Sequence, residues 1–370
     1  MRPRSAVARG GSSAARGKRL PGAEINKALH LSLIKVIRIL YKLRIPHAQN
    51  FLKVQTIIFT ITYNRYKLDL FKGRGMGMSV YPIIMTQSRF THREHLKYPF
   101  EERGLQFGDG IYEVIRIYHG TYYLFEEHVD RLFRSADAIK LKLPFNKEEL
   151  KKLLLELLSR NEMKTDGKLY LQATRGSAPR DHIFPGEDVL PNIYAYVQDL
   201  PRNLDSLTNG VKTITQRDVR WENCYIKSLN LLPNVLAKQE AKENSCYEAI
   251  LHKDGTVTEC SSSNVYLVKD GKIFTHPAKN NILHGCVRMA VERFAKKHNI
   301  PFIEQAFQVS DMSSADEIFL TSSTSEILPI IQVDNTVVND GKPGDITRQL
   351  QTAYEKDAKI HQTIQAESRE

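Results

Sequence analysis

IYEVIRIYHGTYYLF, residues 111–125, is the stretch on which the fold turns. Its β-branched and aromatic residues, interrupted by His119-Gly120, predict two strands joined by a tight turn. Directly after it, EEHVDRLFRSADAI (126–139) changes period. Val129, Leu132, Phe133, Ala136 and Ile139 fall on one helical face. A hairpin feeding an amphipathic helix predicts a mixed α/β fold.

The pattern continues outward from there. KEELKKLLLELLSR (147–160) predicts a second amphipathic helix with Leu150, Leu153, Leu154, Leu157 and Leu158 inward. Strands are expected at 168–174 and 192–198. The polar, Pro-containing DLPRNLDSLTNG (199–210) then reads as a connection. Beyond it come a strand near 211–216, a helix near 231–244 and hairpins around two KDG turns at 253–255 and 269–271. A helix over 285–299 and strands at 317–321 and 327–333 follow. A chain of 370 residues is long enough for two domains. The expected organisation is a basic extension (1–75), a smaller α/β domain (76–200), a linker (201–210), a larger domain (211–356) and a polar tail (357–370).

The net charge of +11 suggests an anionic macromolecule as partner, but the charge is unevenly distributed. Residues 1–75 hold 16 Lys+Arg against Glu24 and Asp69, a net of +14; the other 295 residues hold 37 basic and 40 acidic side chains, a net of −3. The basic residues do not interleave with the motifs of the body, and no nucleic-acid-binding signature is present, so neither nucleic acid nor membrane is expected as a partner. In the leader, only seven uncharged residues run from Ala28 to Lys35, too few for a spanning helix. Three readings fit this leader: an organellar transit peptide, a basic amphipathic helix, or read-through of upstream sequence. The last is preferred, because Phe-Lys-Gly-Arg-Gly-Met (71–76) can be encoded by a purine run like a ribosome-binding site, so translation is expected to start at Met76 or Met78.

Cys224, Cys246, Cys260 and Cys286 show no CxxC spacing. Reduced thiols, no metal and a cytoplasmic location are therefore expected. Among candidate chemical groups, Gly108-Asp109-Gly110 reads as a tight turn. Lys227 stands in YIKSLNLLPNVL, where nearly every neighbour is uncharged, a setting in which an amine can serve as a nucleophile. Glu259 lies among small polar residues in TVTECSSSN, and Ser322-Ser323-Thr324-Ser325 follows a strand, where hydroxyls and amides can hold a phosphate.

Six motifs taken together are more specific than any one of them. LQFGDGIYEVIRIYHG, EEHVDRLFRSADAI, TRGSAPRDH, IKSLNLLPNVLAKQEA, EAILHKDGTVTECSSSNVYLV and FLTSSTSEILP occur in this order between about 79 and 356. The chain thereby resembles the fold-type IV pyridoxal-phosphate aminotransferases, and within them the D-amino-acid aminotransferases of bacilli.

The resemblance implies a two-domain α/β fold with pyridoxal 5′-phosphate between the domains. It implies that Lys227 carries the cofactor as a Schiff base and shuttles the proton, and that Glu259 faces the pyridine nitrogen. Arg131, the amides of Cys286 and Val287, and Ser322 and Ser323 would bind the phosphate. Position 287 is typically Thr in the family, so Val287 implies one hydroxyl fewer. Ser262 would lie on the loop beside the cofactor, with Leu283 as an apolar wall. Arg180 and His182, reaching from the neighbouring subunit of a homodimer, would trap the substrate α-carboxylate with Tyr112 and so select D over L. The implied reaction is ping-pong transfer of an amino group from D-alanine or other D-amino acids to 2-oxoglutarate, giving pyruvate and D-glutamate, in supply of cell-wall precursors. A branched-chain L-aminotransferase and a 4-amino-4-deoxychorismate lyase on the same fold are the alternatives.

Overall fold

The computed structural model describes residues 80–87 and 89–360. The basic leader, the expected start at Met76 or Met78 and residues 361–370 of the expected tail lie outside the described residues. Two sheets organise the rest. The first contains β1 (Ile83–Thr86), β2 (Arg89–His92), β3 (Gly110–Tyr118), β4 (Thr121–Tyr122), β5 (Gly167–Thr174) and β6 (Asn192–Asp199), in the order β2-β1-β6-β5-β3-β4. Its ladders are antiparallel throughout. The β3–β4 turn is His119-Gly120, with φ of 48° and 72°. Both signs are those of the two-residue turn that matches strand twist.

After α1 (Arg103–Phe107), the helices α2 (Phe125–Ala138) and α3 (Lys147–Arg160) belong to this half. Asn146 caps α3 and Glu149 closes the reciprocal bond, the Asn-x-x-Glu start written into FNKEEL. Ile111, Ile115 and Ile117 of β3 meet Leu132 of α2 and Leu150, Leu154 and Leu157 of α3 in one buried cluster. That leaves the even positions of β3 on the opposite face, where the functional cavity lies.

Residues 199–210 contain a further short helix, α4 (Leu204–Asn209), whose Leu207 packs with Val211 and Ile250. The second sheet comprises β7 (Val211–Arg217), β8 (Glu248–Lys253), β9 (Thr256–Cys260), β10 (Asn264–Lys269), β11 (Lys272–Thr275), β12 (Phe302–Glu304), β13 (Glu317–Ser322), β14 (Glu326–Val333) and β15 (Thr336–Val337). Its order is β12-β11-β10-β13-β14-β7-β8-β9, with β15 beside β14. α5 (Leu232–Glu243) connects β7 to its parallel neighbour β8. α6 (Cys286–Lys297) and α7 (Asp345–Asp357) pack on the sheet through Ala290, Val291, Phe294, Leu350 and Tyr354, and Ile360 is buried with them. Tyr118, at the end of β3, joins this second core, so one strand contributes to both halves. Among the described residues no helix is long and apolar enough to cross a membrane.

Candidate active site

A cavity of about 290 Å³ opens between β3, the loop before α5, the end of β9, the start of α6 and the turn after β13. Lys227, Glu259, Arg131, Ser262, Leu283, Cys286, Val287, Ser322, Ser323 and Tyr112 all line it. The loop carrying Lys227 is pinned to the start of β3. Tyr112 N donates to Lys227 O (2.9 Å) and Leu229 N to Gly110 O (3.0 Å). This pairing sets Lys227 Nζ 4.2 Å from the centre of the Tyr112 ring. Among the described residues Nζ has neither a hydrogen-bond nor an ion-pair partner. It is an amine held in place with its lone functional atom uncommitted.

One end of the cavity is built for an anion. Gly285 caps α6 without a side-chain bond, so the first-turn amides at Cys286 and Val287 remain available beside the cavity. Glycine is required at 285, because a Cβ there would collide with the Asn264 amide. Arg131 of α2 is buried and chelates Glu113 of β3 through Nε and Nη2, both at 2.8 Å. Its Nη1 donates to His284 O (3.2 Å). Of the five N–H donors of a guanidinium, these bonds engage three. Ser323 Oγ lies 3.2 Å from His128 Nε2, and His128 Nδ1 lies 2.7 Å from Glu113 Oε2.

Glu113 and His128 were not singled out from sequence. The available signal was one acid inside the apolar strand YEVIRI, and a His-x-x-Arg pair that shares a helical face. Burial alone would raise the Glu113 carboxyl, but Arg131 and His128 hold it well below the usual carboxylate range. Burial would lower His128, yet the neighbouring Cys286 and Glu113 lift it to about 9. Burial would likewise raise the Cys286 thiol, whereas Arg131 and His128 bring it below its ordinary value.

These shifts give anion binding a definite pH dependence. As the pH rises, Cys286 gains negative charge and, through about 9, His128 loses positive charge. Both changes weaken the hold on an ionised phosphate. Equilibrium dialysis of the cofactor-free protein against inorganic phosphate is expected to show affinity falling roughly tenfold between pH 8 and 10, about 1.4 kcal/mol. Cys286→Ala should flatten the early part of that fall and His128→Asn the later part. A flat profile in the unsubstituted protein contradicts the assignment.

The opposite end carries a buried carboxylate. Glu259 accepts from Arg220 Nη1 (2.5 Å), Asn264 Nδ2 (3.0 Å) and Leu283 N (3.1 Å to each oxygen). Burial pushes its carboxyl up, opposed by the Arg220 guanidinium and the Leu283 amide. Arg220 is tied in turn to Asp218, which accepts from Thr258 Oγ1 (2.7 Å). Sequence reading did not identify Arg220, because its partner lies 39 residues away. Leu283 thus holds Glu259 through its backbone while its side chain lines the cavity.

The loop of three serines has a separate anchor. Ser262 Oγ donates to buried Glu248 (2.6 Å), as do Ser261 and Ser263, and Lys238 pairs with the same carboxylate (3.1 Å).

Arg180 and His182 do not join the cavity of their own chain. Both are exposed, packing on Phe107 with Arg180 Cζ at 4.8 Å and the His182 ring at 5.4 Å. The Gly-Asp-Gly turn holds their loop. Asp109 accepts from Arg103 Nε (2.9 Å) and Arg175 Nε (2.8 Å), and Arg103 Nη1 donates to Asp181 O (2.7 Å). All four cysteines are unpaired.

Together the residues present fit pyridoxal phosphate: an uncommitted amine, an anion site of helix amides and a buried arginine, and a buried carboxylate at the other end. The family model for class IV amino-transferases matches residues 110–333. The D-alanine aminotransferase of Staphylococcus aureus (strain COL) is 46% identical over 278 residues, 75% of this chain and 98% of that protein. That of Listeria monocytogenes (strain 10403S) is 46% identical over 269 residues, 72% of this chain and 93% of the relative. Among solved structures, the branched-chain aminotransferase of Thermoproteus uzoniensis with norvaline aligns with a TM-score of 0.68 at 26% identity, covering 76% of this chain and 97% of that one. The branched-chain amino acid aminotransferase of Thermobaculum terrenum in its PLP form aligns with a TM-score of 0.68 at 23% identity, over 76% and 95%, a likeness of fold.

Proposed function

The chain belongs to the class IV aminotransferases, and we propose that it moves the amino group of D-alanine, and of other D-amino acids, to 2-oxoglutarate. The observation that carries this is the uncommitted Lys227 amine beside Tyr112, set between an anion site and a buried carboxylate. The 46% identity to D-alanine aminotransferases favours the D substrate over the branched-chain L alternative, whose relatives are similar at 22–26%.

Arg131, the first amides of α6, and Ser322 and Ser323 would hold the phosphate of pyridoxal 5′-phosphate. Glu259 would face the ring nitrogen and keep it protonated, and its three hydrogen-bond donors, Arg220, Asn264 and the Leu283 amide, fix it for that role. The cofactor supplies an aldehyde that condenses with amines and a ring that accepts the electron pair released at Cα. Lys227 Nζ, set beside Tyr112 and without a hydrogen-bond partner among the described residues, would take the proton from the substrate Cα and deliver it to the carbon of the cofactor's aldehyde group. Tyr112 forms one wall against the substrate.

Arg180 and His182, exposed on their own chain, would enter the cavity of a second copy and clamp the α-carboxylate there. This makes the working unit a homodimer and places a chiral substrate with one face toward Lys227. The two sheets would correspond to domains 76–200 and 211–356, joined by 201–210 and followed by a polar tail from 357. A cytoplasmic enzyme providing D-glutamate for cell-wall precursors is the setting that fits.

The decisive experiment pairs two measurements. Borohydride reduction of the purified protein, followed by peptide mapping, should label Lys227. Assay with 2-oxoglutarate should show D-alanine used in preference to L-leucine. A label on another lysine defeats the catalytic assignment, and a preference for L-leucine defeats the roles given to Arg180 and His182.

A further inference from the structure

Arg116 of β3 is a group that the site described so far does not use. It is 1% exposed, and among the described residues Nε, Nη1 and Nη2 have no hydrogen-bond partner. A buried guanidinium without acceptors is strongly unfavourable, which points to an anion that completes it. Strand alternation puts Arg116 on the same face as Tyr112 and Val114, both of which line the cavity. It stands two residues past Val114, roughly 6.6 Å along the strand. Across the ladder it is paired with Lys168 of β5, which also lines the cavity. Burial, and then the charge of Arg116, lower the Lys168 pKa. Two cations therefore stand side by side, Lys168 in the cavity wall and Arg116 buried directly beside it, and among the described residues neither has a carboxylate in ion-pair contact. The Arg116 guanidinium rests over the Tyr118 ring at 4.9 Å, a contact that orients it without using its N–H groups.

We infer that Arg116 and Lys168 form a second anion subsite, which receives the distal carboxylate of a dicarboxylic 2-oxo acid such as 2-oxoglutarate. The inference rests on the transaminase reading, because it needs the reacting carbon to lie near Lys227 Nζ, beside Tyr112. From that point β3 leads past Val114 to Arg116, and a substrate side chain running the same way ends in the two cations. The planar fork of Arg116 matches a carboxylate with two parallel hydrogen bonds, and Lys168 adds a point charge. A monocarboxylic acid leaves the subsite empty and gains nothing from it. The subsite accordingly selects the acceptor, separately from the groups that fix the α-carboxylate.

Holoenzymes of Arg116→Met and Lys168→Met are compared with the wild type on 2-oxoglutarate and on monocarboxylic 2-oxobutyrate, with D-alanine as donor. The ratio of kcat/KM for 2-oxoglutarate over that for 2-oxobutyrate is expected to fall about 10–100-fold in Arg116→Met, the range for a lost charge-assisted bond. Lys168→Met should lower the same ratio by roughly threefold or more. Because methionine removes an unpaired buried charge, Arg116→Met should melt no lower than the wild type. An unchanged ratio overturns the subsite, whether both acceptors suffer equally or neither does. Equal loss is also what a carboxylate supplied by a second copy would give. If Arg116→Met is insoluble, Lys168→Met decides on the same ratio. A single turnover of the wild type with D-alanine alone tests the underlying reading: no pyruvate means that the transaminase assignment has failed, whereas pyruvate with an unchanged ratio means that only the subsite has.

Discussion

Lys227→Ala is expected to lower the turnover of D-alanine with 2-oxoglutarate by at least about 10³-fold. Lys227 is the amine positioned beside Tyr112 that the proposed reaction uses as its base, and removal of a positioned acid–base group costs about 10²–10⁴-fold. The attachment to the cofactor proposed for it would be lost in the same substitution. The anion site is built from α2, α6 and the turn after β13, none of which contains residue 227, so phosphate binding should survive. Stopped-flow measurement of pyruvate release in a single turnover, beside equilibrium dialysis of phosphate, separates the two functions. Retention of a tenth of the wild-type rate would remove Lys227 from the mechanism. Lys168 also lines the cavity and is the first residue to suspect in that case.

Glu113→Ala should produce the largest loss of stability of any single substitution at the site. Glu113 is 1% exposed and accepts both arms of Arg131 as well as the His128 ring. Truncation leaves a buried guanidinium and a buried imidazole without their shared acceptor, at a cost of about 3–5 kcal/mol. That is a large part of the roughly 5–15 kcal/mol that holds a domain together. The native carboxyl is held below its usual range, so its contribution is present above pH ~4.3 and is lost only as the pH falls further. Urea unfolding at pH 7 should therefore show the full difference between variant and wild type, and the gap should narrow in acid. A difference below about 1 kcal/mol at pH 7 would mean that Arg131 and His128 find other partners. Phosphate should restore part of the loss, since it offers Arg131 a replacement anion.

What could be read from the chain and what could not divide along physical lines. The strands and helices were legible because their signals are local: period two in IYEVIRIY, period 3.6 in EEHVDRLFRSADAI, and turn residues at His119-Gly120 and the two KDG sites. At Asp254-Gly255 and Asp270-Gly271 the backbone takes the positive φ that such turns require. The helix within 199–210 was hidden by its proline and polar residues, because its single buried anchor, Leu207, gains its partners from strands distant in sequence, β14 foremost.

The candidate site was legible wherever a residue was unusual for its own neighbourhood. Lys227 stood out as an amine in an uncharged run and Glu259 as an acid among small polar residues. Their partners stayed hidden because they are distant in sequence. Arg131 meets Glu113 across 18 positions, Glu259 meets Arg220 across 39, and His128 meets Ser323 across 195. Arg180 and His182 show the converse, for their Arg-x-His spacing is plain in sequence while their place is outside the cavity of the chain that carries them.

By itself the sequence determined the two periodicities, the uneven charge, the ordered set of motifs and hence the family to which the body of the chain is similar. Those properties depend on residue type and near spacing alone. Only the tertiary structure decided which charges face which. Alternation places Arg116 on one side of β3, but nothing local says that this side is covered, or that Lys168 lies across from it without a carboxylate between them. Burial and pairing arise when segments far apart in the chain are packed together, and that packing turns an ordinary strand arginine into a site for an anion.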